Sequence, residues 1–496
     1  MRPAALPKTG RDKEDILREL RNYQKDDPSY ERGRVWSLVY YLGAEHDSLL
    51  QEAYNYYFSA NALNPMAFKS LKRLENEIIW ITAALLHGDG NVCGVMTSGG
   101  TESCLLAVKT YRDYARAEKG TKNPEMILPQ TAHVAWEKGG EYFGVKPVYV
   151  PLDDDYKVDV EAVKRLINKN TIMILGSAPD YPHGIIDPIE ELGRIGESRG
   201  IPVHVDACLG GFILPFIEKL GISLPKWDYR VPGVTSISAD LHKYGFAAKG
   251  ASTITYRSLD ILKYQMFVST EWPGGVFASP ALLGTRPGGA YAAAWASLQA
   301  LGEDGFVSIT KQVIESTRKL MEGIRAIPGS KVIGRPQASI FSFRSIDANL
   351  NIFAVADQME QKGWHMDRLQ KPDAIHVTVT PAHSAVIEEY LTDLKNSVEY
   401  VRKHPESAAS GSAATYGMIA HIPLRRMVKK QVLEMFAQLY GPEGKMINMT
   451  SSVPGEENEG GIPTGHEESD KTPGREAPGL LNRIIAAYVK LRQSRE

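Results

Sequence analysis

Cysteine is scarce in this 496-residue chain, which holds three: Cys93, Cys104 and Cys208. Three thiols so far apart in sequence argue against a disulfide framework or a clustered zinc site, so no metal is expected and a reducing compartment is the simpler reading. Long apolar runs are missing too. No stretch reaches the roughly 20 apolar residues of a membrane helix, and MRPAALPKTGRDKEDILREL lacks the apolar core of a secretory signal, so a cytoplasmic protein is expected. Nor does either sign of charge dominate, with 57 Lys and Arg against 59 Asp and Glu and a net charge of -2. That balance disfavours nucleic acid and broad attraction to an anionic membrane.

What is present is ordinary for a globular protein, 43% hydrophobic and 23% charged. The length, at roughly 150 residues per domain, suggests two or three units. Residues 1–70 read as an N-terminal arm with helical spacing at Ile16, Leu17 and Leu20, an apolar run from Trp36 to Leu42, and a turn at NALNP, Asn61 to Pro65. Residues 71–303 form the large unit. There GVMTS, EMILP, PVYVPL, TIMILGSAP, PVHVDA, TSISA and STITY alternate with helical stretches, which predicts crossover connections and a mostly parallel sheet with its ligand site at the strands' C-terminal ends. Residues 304–440 read as a smaller α+β domain, with a helix from Gly305 to Ala326 and strands at KVIG, SIFSF and AIHVTVT. Residues 441–480, rich in Gly, Pro, Ser and Glu, read as a flexible linker, and 481–496 as an amphipathic terminal helix. No internal repeat is evident.

Four motifs in a fixed order carry the chemistry. Ser98-Gly99-Gly100-Thr101 follows a strand and opens a helix, where free backbone N–H groups and the helix dipole suit a phosphate; a plain N-cap explains it equally well in isolation. His133 follows EMILP and can stack on a planar ring, although a lone histidine is more often structural. Asp206 ends PVHVDA, where a carboxylate can pair with a protonated pyridine nitrogen or simply cap a helix. SISADLHKYGFAAKG places Ser238, Asp240 and His242 beside Lys243, and a buried lysine of depressed pKa is the amine that forms a Schiff base with an aldehyde. Together they supply what pyridoxal 5'-phosphate requires, in the order found in enzymes of the aspartate aminotransferase fold, type I.

From about Gly33 to Tyr440 the chain resembles the sphingosine-1-phosphate lyases, within the group that includes the glutamate and aromatic amino acid decarboxylases. The resemblance rests on GSAPDYPHGIIDPI, SADLHKYGFAAKG, WPGGVFASPALLGTRPG and GWHMDRLQKPDAIHVTVT. It implies a homodimer of sphingolipid metabolism in which Lys243 forms the Schiff base, Asp206 pairs with the ring nitrogen and His133 stacks on the ring. It also implies that Gly100, Thr101 and His242 hold the cofactor phosphate, with Gly284 and Thr285 from the other subunit. The family's substrate-phosphate Tyr, His and Lys fall on Tyr40, Asn64 and Lys249. Asparagine in place of histidine leaves a neutral donor of two hydrogen bonds, and Thr285 in place of serine keeps the hydroxyl.

The animal members' membrane anchor is missing, which fits a soluble bacterial-type form. The activity implied is that of an aldehyde-lyase: retro-aldol cleavage of a long-chain base phosphate to a fatty aldehyde and phosphoethanolamine. The base for the C3 hydroxyl is left open among Lys249, Tyr40 and a substrate phosphate oxygen. An amino acid decarboxylase would share the cofactor residues but need a cationic carboxylate site. A non-catalytic scaffold would need none of the four motifs.

Overall fold

The computed structural model describes residues 6–409, 411–421 and 425–442. All but the first two residues of the expected linker, and the whole of the expected terminal helix, lie outside the described residues.

All seven apolar runs of the large unit are strands: β1 (Cys93–Thr97), β2 (Glu125–Pro129), β3 (Lys146–Val150), β4 (Thr171–Ser177), β5 (Val203–Asp206), β6 (Val234–Ala239) and β7 (Ser252–Tyr256). They form one sheet in the order β1-β7-β6-β5-β4-β2-β3. The pairs from β6 to β3 are parallel, while β7 runs antiparallel to both β6 and β1. The helices Gly100–Lys119, Val134–Phe143, Val160–Leu166 and Ile189–Arg199 occupy connections between strands. A parallel return needs a dozen or more residues, usually a helix, but Asp240 to Gly250 folds as a loop, so β7 comes back antiparallel. That loop carries Lys243 and leaves it at the C-terminal end of β6.

The central strands are covered on both faces, and β4 is buried along its whole length. Met126, Leu128, Met173 and Leu175 pack with Trp136, Tyr111 and Val108 from the flanking helices. Each such side chain contributes about 1.5–3 kcal/mol of hydrophobic stabilisation, so the strand ends are held on a rigid base.

The described residues divide into two compact units: 29–343 with 376–391, and 6–28, 344–375 and the described residues from 392 to 442. The first contains the seven-stranded sheet. Its arm helices Ala44–Tyr56 and Lys69–Leu85 are separated at the expected NALNP turn. The helix expected from Gly305 extends back to Gly288, broken at Gly302, whose φ of 55° favours glycine. In the second unit, Arg368 ion-pairs with Asp357 at 2.6 Å and Glu360 at 2.7 Å, and Asp357 also accepts from the Ala413 N–H. The runs of the α+β segment are strands at Ser330–Val332, Ile340–Ser345 and Ala374–Thr378, and Asp367–Leu369 is a further short strand.

Candidate active site

The C-terminal ends of β4, β5 and β6 lie side by side, with Ser177 opposite Asp206 and Asp206 opposite Ser238. Over these ends opens a cavity of about 460 Å³. Tyr40, Gly100, Thr101, His133, Asp206, His242, Lys243 and Lys249 all line it. Residues spread from position 40 to 249 converge because crossover connections return every strand to the same edge.

Asp206 is 7% exposed. Trp136 Nε1 donates to its Oδ2 at 2.9 Å and the Cys208 N–H to its Oδ1 at 3.1 Å. Burial alone would raise the carboxyl pKa, but these donors, with His133 and His204, outweigh it and hold the group below its ordinary value. Asp206 is therefore a fixed negative charge on the cavity floor. Trp136 stands one turn after His133, so one helix N-terminus supplies both a pocket wall and the donor that orients the carboxylate.

Lys243 departs from the sequence expectation. Burial does push its amine down, but the attraction of Asp240, whose Oδ2 lies 2.9 Å from Nζ, joined by Cys208 and Tyr40, more than offsets it, so the lysine is held as an ammonium above its ordinary pKa. The depressed pKa expected of a Schiff-base lysine is thus absent in the chain alone. Asp240 is 1% exposed, and its carboxyl is driven down by Lys243 and His242 despite burial. The i, i+3 spacing of Asp240 and Lys243 was visible in the sequence, but nothing there said that the loop would bury the pair together.

The glycine loop meets this cluster. His242 Nδ1 accepts from the Ala251 N–H at 3.2 Å, which places its Cε1 at 3.3 Å from where a Gly99 Cβ would stand. A Cβ on Gly100 would lie 2.7 Å from Asp240 Oδ2 and 2.9 Å from Cys208 Sγ, so no larger residue fits without displacement. Glu102 accepts from the Ser98 N–H at 2.7 Å, the Ser98 hydroxyl at 2.6 Å and the Leu282 N–H at 2.9 Å, fixing the loop.

Lys249 and Tyr40 line the same cavity. Lys249 Nζ lies 5.3 Å from the Tyr40 ring centre and donates to the carbonyls of Leu38 at 2.8 Å and His242 at 3.3 Å. Desolvation, then the Lys243 charge, lowers Lys249 to about 8; burial raises the Tyr40 phenol to about 12. His133 Nδ1 accepts from the Ala135 N–H at 3.2 Å, so this histidine caps its helix as well as facing the cavity. Desolvation keeps its pKa below the ordinary value in spite of Asp206.

Asn64, Gly284 and Thr285 do not line this cavity. Asn64 Oδ1 accepts from the Met66 and Ala67 N–H groups at 3.0 and 3.1 Å, and Asn61 Nδ2 donates to Thr285 Oγ1 at 3.2 Å. The turn carrying Asn64 is thereby tied to the segment carrying Gly284 and Thr285. The sequence reading named Asp240, Cys104 and Cys208 without giving them a role in the site, and passed over Trp136, Tyr181 and Thr378. Tyr181 stacks on His376 at 4.2 Å and edges toward His133 at 6.3 Å, while His376 Nε2 lies 2.9 Å from the Thr378 hydroxyl.

A fixed carboxylate, an amine 2.9 Å from a second carboxylate and a glycine loop opening a helix fit the three functional ends of pyridoxal phosphate: ring nitrogen, aldehyde and phosphate. The fold and site define a pyridoxal phosphate-dependent α/β enzyme. Residues 54–346 match the pyridoxal-dependent decarboxylase conserved domain. The chain is 45% identical to the sphingosine-1-phosphate lyase of Arabidopsis thaliana over 434 residues, 86% of this chain and 79% of that protein. It is 35% identical to the probable sphingosine-1-phosphate lyase of Legionella pneumophila, covering 84% and 72% of the two chains. The solved structure of the Burkholderia pseudomallei sphingosine-1-phosphate lyase superposes with a TM-score of 0.79 at 38% identity, over 87% of this chain and 97% of that one. This chain belongs to the sphingosine-1-phosphate lyase family of the pyridoxal-dependent decarboxylase group. A glutamate decarboxylase of Lactobacillus brevis, 23% identical with a TM-score of 0.71 over 81% and 96% of the two chains, shares the fold.

Proposed function

We propose that this enzyme cleaves the C2–C3 bond of sphingosine-1-phosphate-like long-chain base phosphates, releasing a fatty aldehyde and phosphoethanolamine. What carries the reading is membership of the lyase family together with a cavity lined by Lys243, Asp206, the glycine loop and a second lysine, Lys249. When bound, pyridoxal phosphate supplies an electrophilic carbon for the amine and a ring that accepts the electron pair of the broken bond.

Lys243 would hold the aldehyde carbon, and Asp206 would keep the ring nitrogen protonated. Gly100, Thr101 and His242 would hold the cofactor phosphate, and His133 would pack against the ring. The Lys243 amine would be the group that returns a proton to the substrate Cα. Tyr40 and Lys249 grip the substrate phosphate. Tyr40, raised to about 12, stays a protonated phenol at neutral pH and so serves as a donor to the phosphate, not as a base.

Lys249 gives this assignment a pH signature. A lysine titrating near 8 is an ammonium below that pH and a neutral amine above it. KM for the phosphorylated substrate is therefore expected to rise as pH passes about 8, with kcat little changed, and Lys249→Arg should move that rise upward. Steady-state kinetics from pH 6.5 to 9.5 check it; a kcat that climbs through the same range, at constant KM, would make Lys249 the C3-hydroxyl base instead.

A homodimer completes the site, with Gly284, Thr285 and the linked Asn64 turn serving the neighbouring subunit's cavity. Its support is apolar exposure beside those residues: Val276 is 77% exposed, Val268 59%, Phe267 58% and Trp272 57%. Val276→Asp is expected to shift sedimentation toward monomer and cut kcat/KM more than tenfold. Full activity in a monomer would remove the shared site.

No helix among the described residues is long and apolar enough to cross a membrane, which supports a cytoplasmic enzyme that meets its lipid substrate from outside the bilayer. The deciding experiment incubates the cofactor-loaded enzyme with sphingosine-1-phosphate and follows long-chain aldehyde and phosphoethanolamine by mass spectrometry. Absence of both products with the cofactor bound would redirect the assignment to amino acid decarboxylation.

A further inference from the structure

Two buried thiols remain that the proposed reaction does not use. Cys104 lies near the start of the helix Gly100–Lys119 and is 1% exposed; Cys208 follows β5 and is 8% exposed. Far apart in sequence, they meet in the fold. Both line the cavity, and Cys104 Sγ, Cys208 Sγ and a carboxylate oxygen of Asp206 all lie within 4.8 Å of one another. Cys104 Sγ points at Asp206 Oδ2 from 3.8 Å, and Cys208 Sγ lies 3.4 Å from Ser238 Oγ.

We propose that Cys104, Cys208 and Asp206 form a binding site for one soft divalent cation of the zinc and cadmium kind, mutually exclusive with the cofactor's ring.

The donor set is the one such ions select. Thiolate sulfur binds zinc at about 2.3 Å and carboxylate oxygen at about 2.0–2.2 Å, so donors around one tetrahedral ion stand about 3.5–3.8 Å apart. Closing from the observed spacing takes a side-chain adjustment, not a backbone shift. Asp206 is already oriented by Trp136 Nε1 on Oδ2 and by the Cys208 N–H and the Ser238 hydroxyl on Oδ1, and the Oδ2 lone pair that faces the Cys104 thiol is the one the ion would take as that proton leaves. Gly100 keeps the approach open, because a Cβ there would press on Cys208 Sγ. The fourth position faces the cavity, where water can enter.

Both thiols are held protonated, Cys208 by its contact with Cys104 and by burial, and Cys104 chiefly by burial. The ion must therefore displace two protons, each leaving to solvent as a metal–sulfur bond forms, and binding strengthens as pH rises. Exclusivity rests on the reading of Asp206 as partner of the ring nitrogen, since one carboxylate cannot serve both the ring and the ion. The consequence is that the enzyme is open to capture by soft metals when the cofactor is off and protected when it is on.

Cadmium is the probe, because its bonds to thiolate give an ultraviolet charge-transfer band. The holoenzyme and the same preparation stripped of cofactor are titrated with cadmium, reading that band, bound metal per chain by elemental mass spectrometry, and cofactor released. One cadmium per chain is expected, at least tenfold tighter without cofactor, with an affinity that increases with pH. Cys208→Ala and Cys104→Ala should each weaken binding more than tenfold, while Cys93→Ser leaves it unchanged; circular dichroism verifies that each variant is folded. Absence of the band, or equal affinity in the Cys208 and Cys104 variants, overturns the site. Equal affinity with and without cofactor overturns exclusivity. A protein that never takes up pyridoxal phosphate would defeat the cofactor reading, while metal stoichiometry would still decide the thiol site.

Discussion

Lys243→Ala is expected to abolish the visible absorbance of the lysine-bound cofactor and to lower turnover by at least about 10³-fold, the scale on which positioned proton transfer and covalent attachment contribute. Alanine also removes the charge that faces Asp240 at 2.9 Å. A buried carboxylate stripped of its partner destabilises a protein by about 3–5 kcal/mol, so a loss of activity by itself would not separate chemistry from folding. Lys243→Arg makes the separation. Its guanidinium keeps a positive charge toward Asp240 but cannot form the Schiff base, so a folded protein without the absorbance and without turnover is expected. Spectra and single-turnover assays on both variants provide the check. Residual absorbance in either would take the Schiff base away from Lys243.

Asp206→Asn is expected to keep cofactor absorbance and lose about 10²–10⁴ in kcat. The side chain is nearly isosteric, but an amide cannot hold the pyridine nitrogen protonated, so the ring no longer draws off the electron pair of the breaking bond. Asparagine also brings a donor where Asp206 accepts from both Trp136 Nε1 and the Cys208 N–H. One of those donors then faces another donor, at a cost of about 1–3 kcal/mol in stability. Comparison of kcat, the cofactor spectrum and the urea midpoint with wild type distinguishes the two consequences. A kcat within a few-fold of wild type would show that Asp206 does not govern the ring.

Much of this site was legible before any coordinates. The seven apolar runs each became a strand, because continuous apolar segments bounded by turn residues have few alternatives to burial in a sheet. The glycine loop, Asp206 and Lys243 all sit where strand-end chemistry puts them. Two features were not legible. The reversal of β7 depends on the Asp240 to Gly250 connection folding as a loop instead of a crossover helix, and the state of Lys243 depends on a neighbour three residues away being buried with it.

The sequence by itself determined the mostly parallel α/β architecture, the cofactor class and the strand-end residues that line the cavity, because strand periodicity and local turn chemistry are short-range properties written in adjacent residues. Tertiary structure alone decided which charges face one another. It paired Lys243 with Asp240, lowered Lys249 by burying it and by placing it near Lys243, brought Cys104 to Cys208, and left Asn64 and Thr285 out of the cavity lining of their own chain. Electrostatics and metal affinity depend on distance and desolvation, and both are fixed only when crossover connections return distant residues to one edge of the sheet.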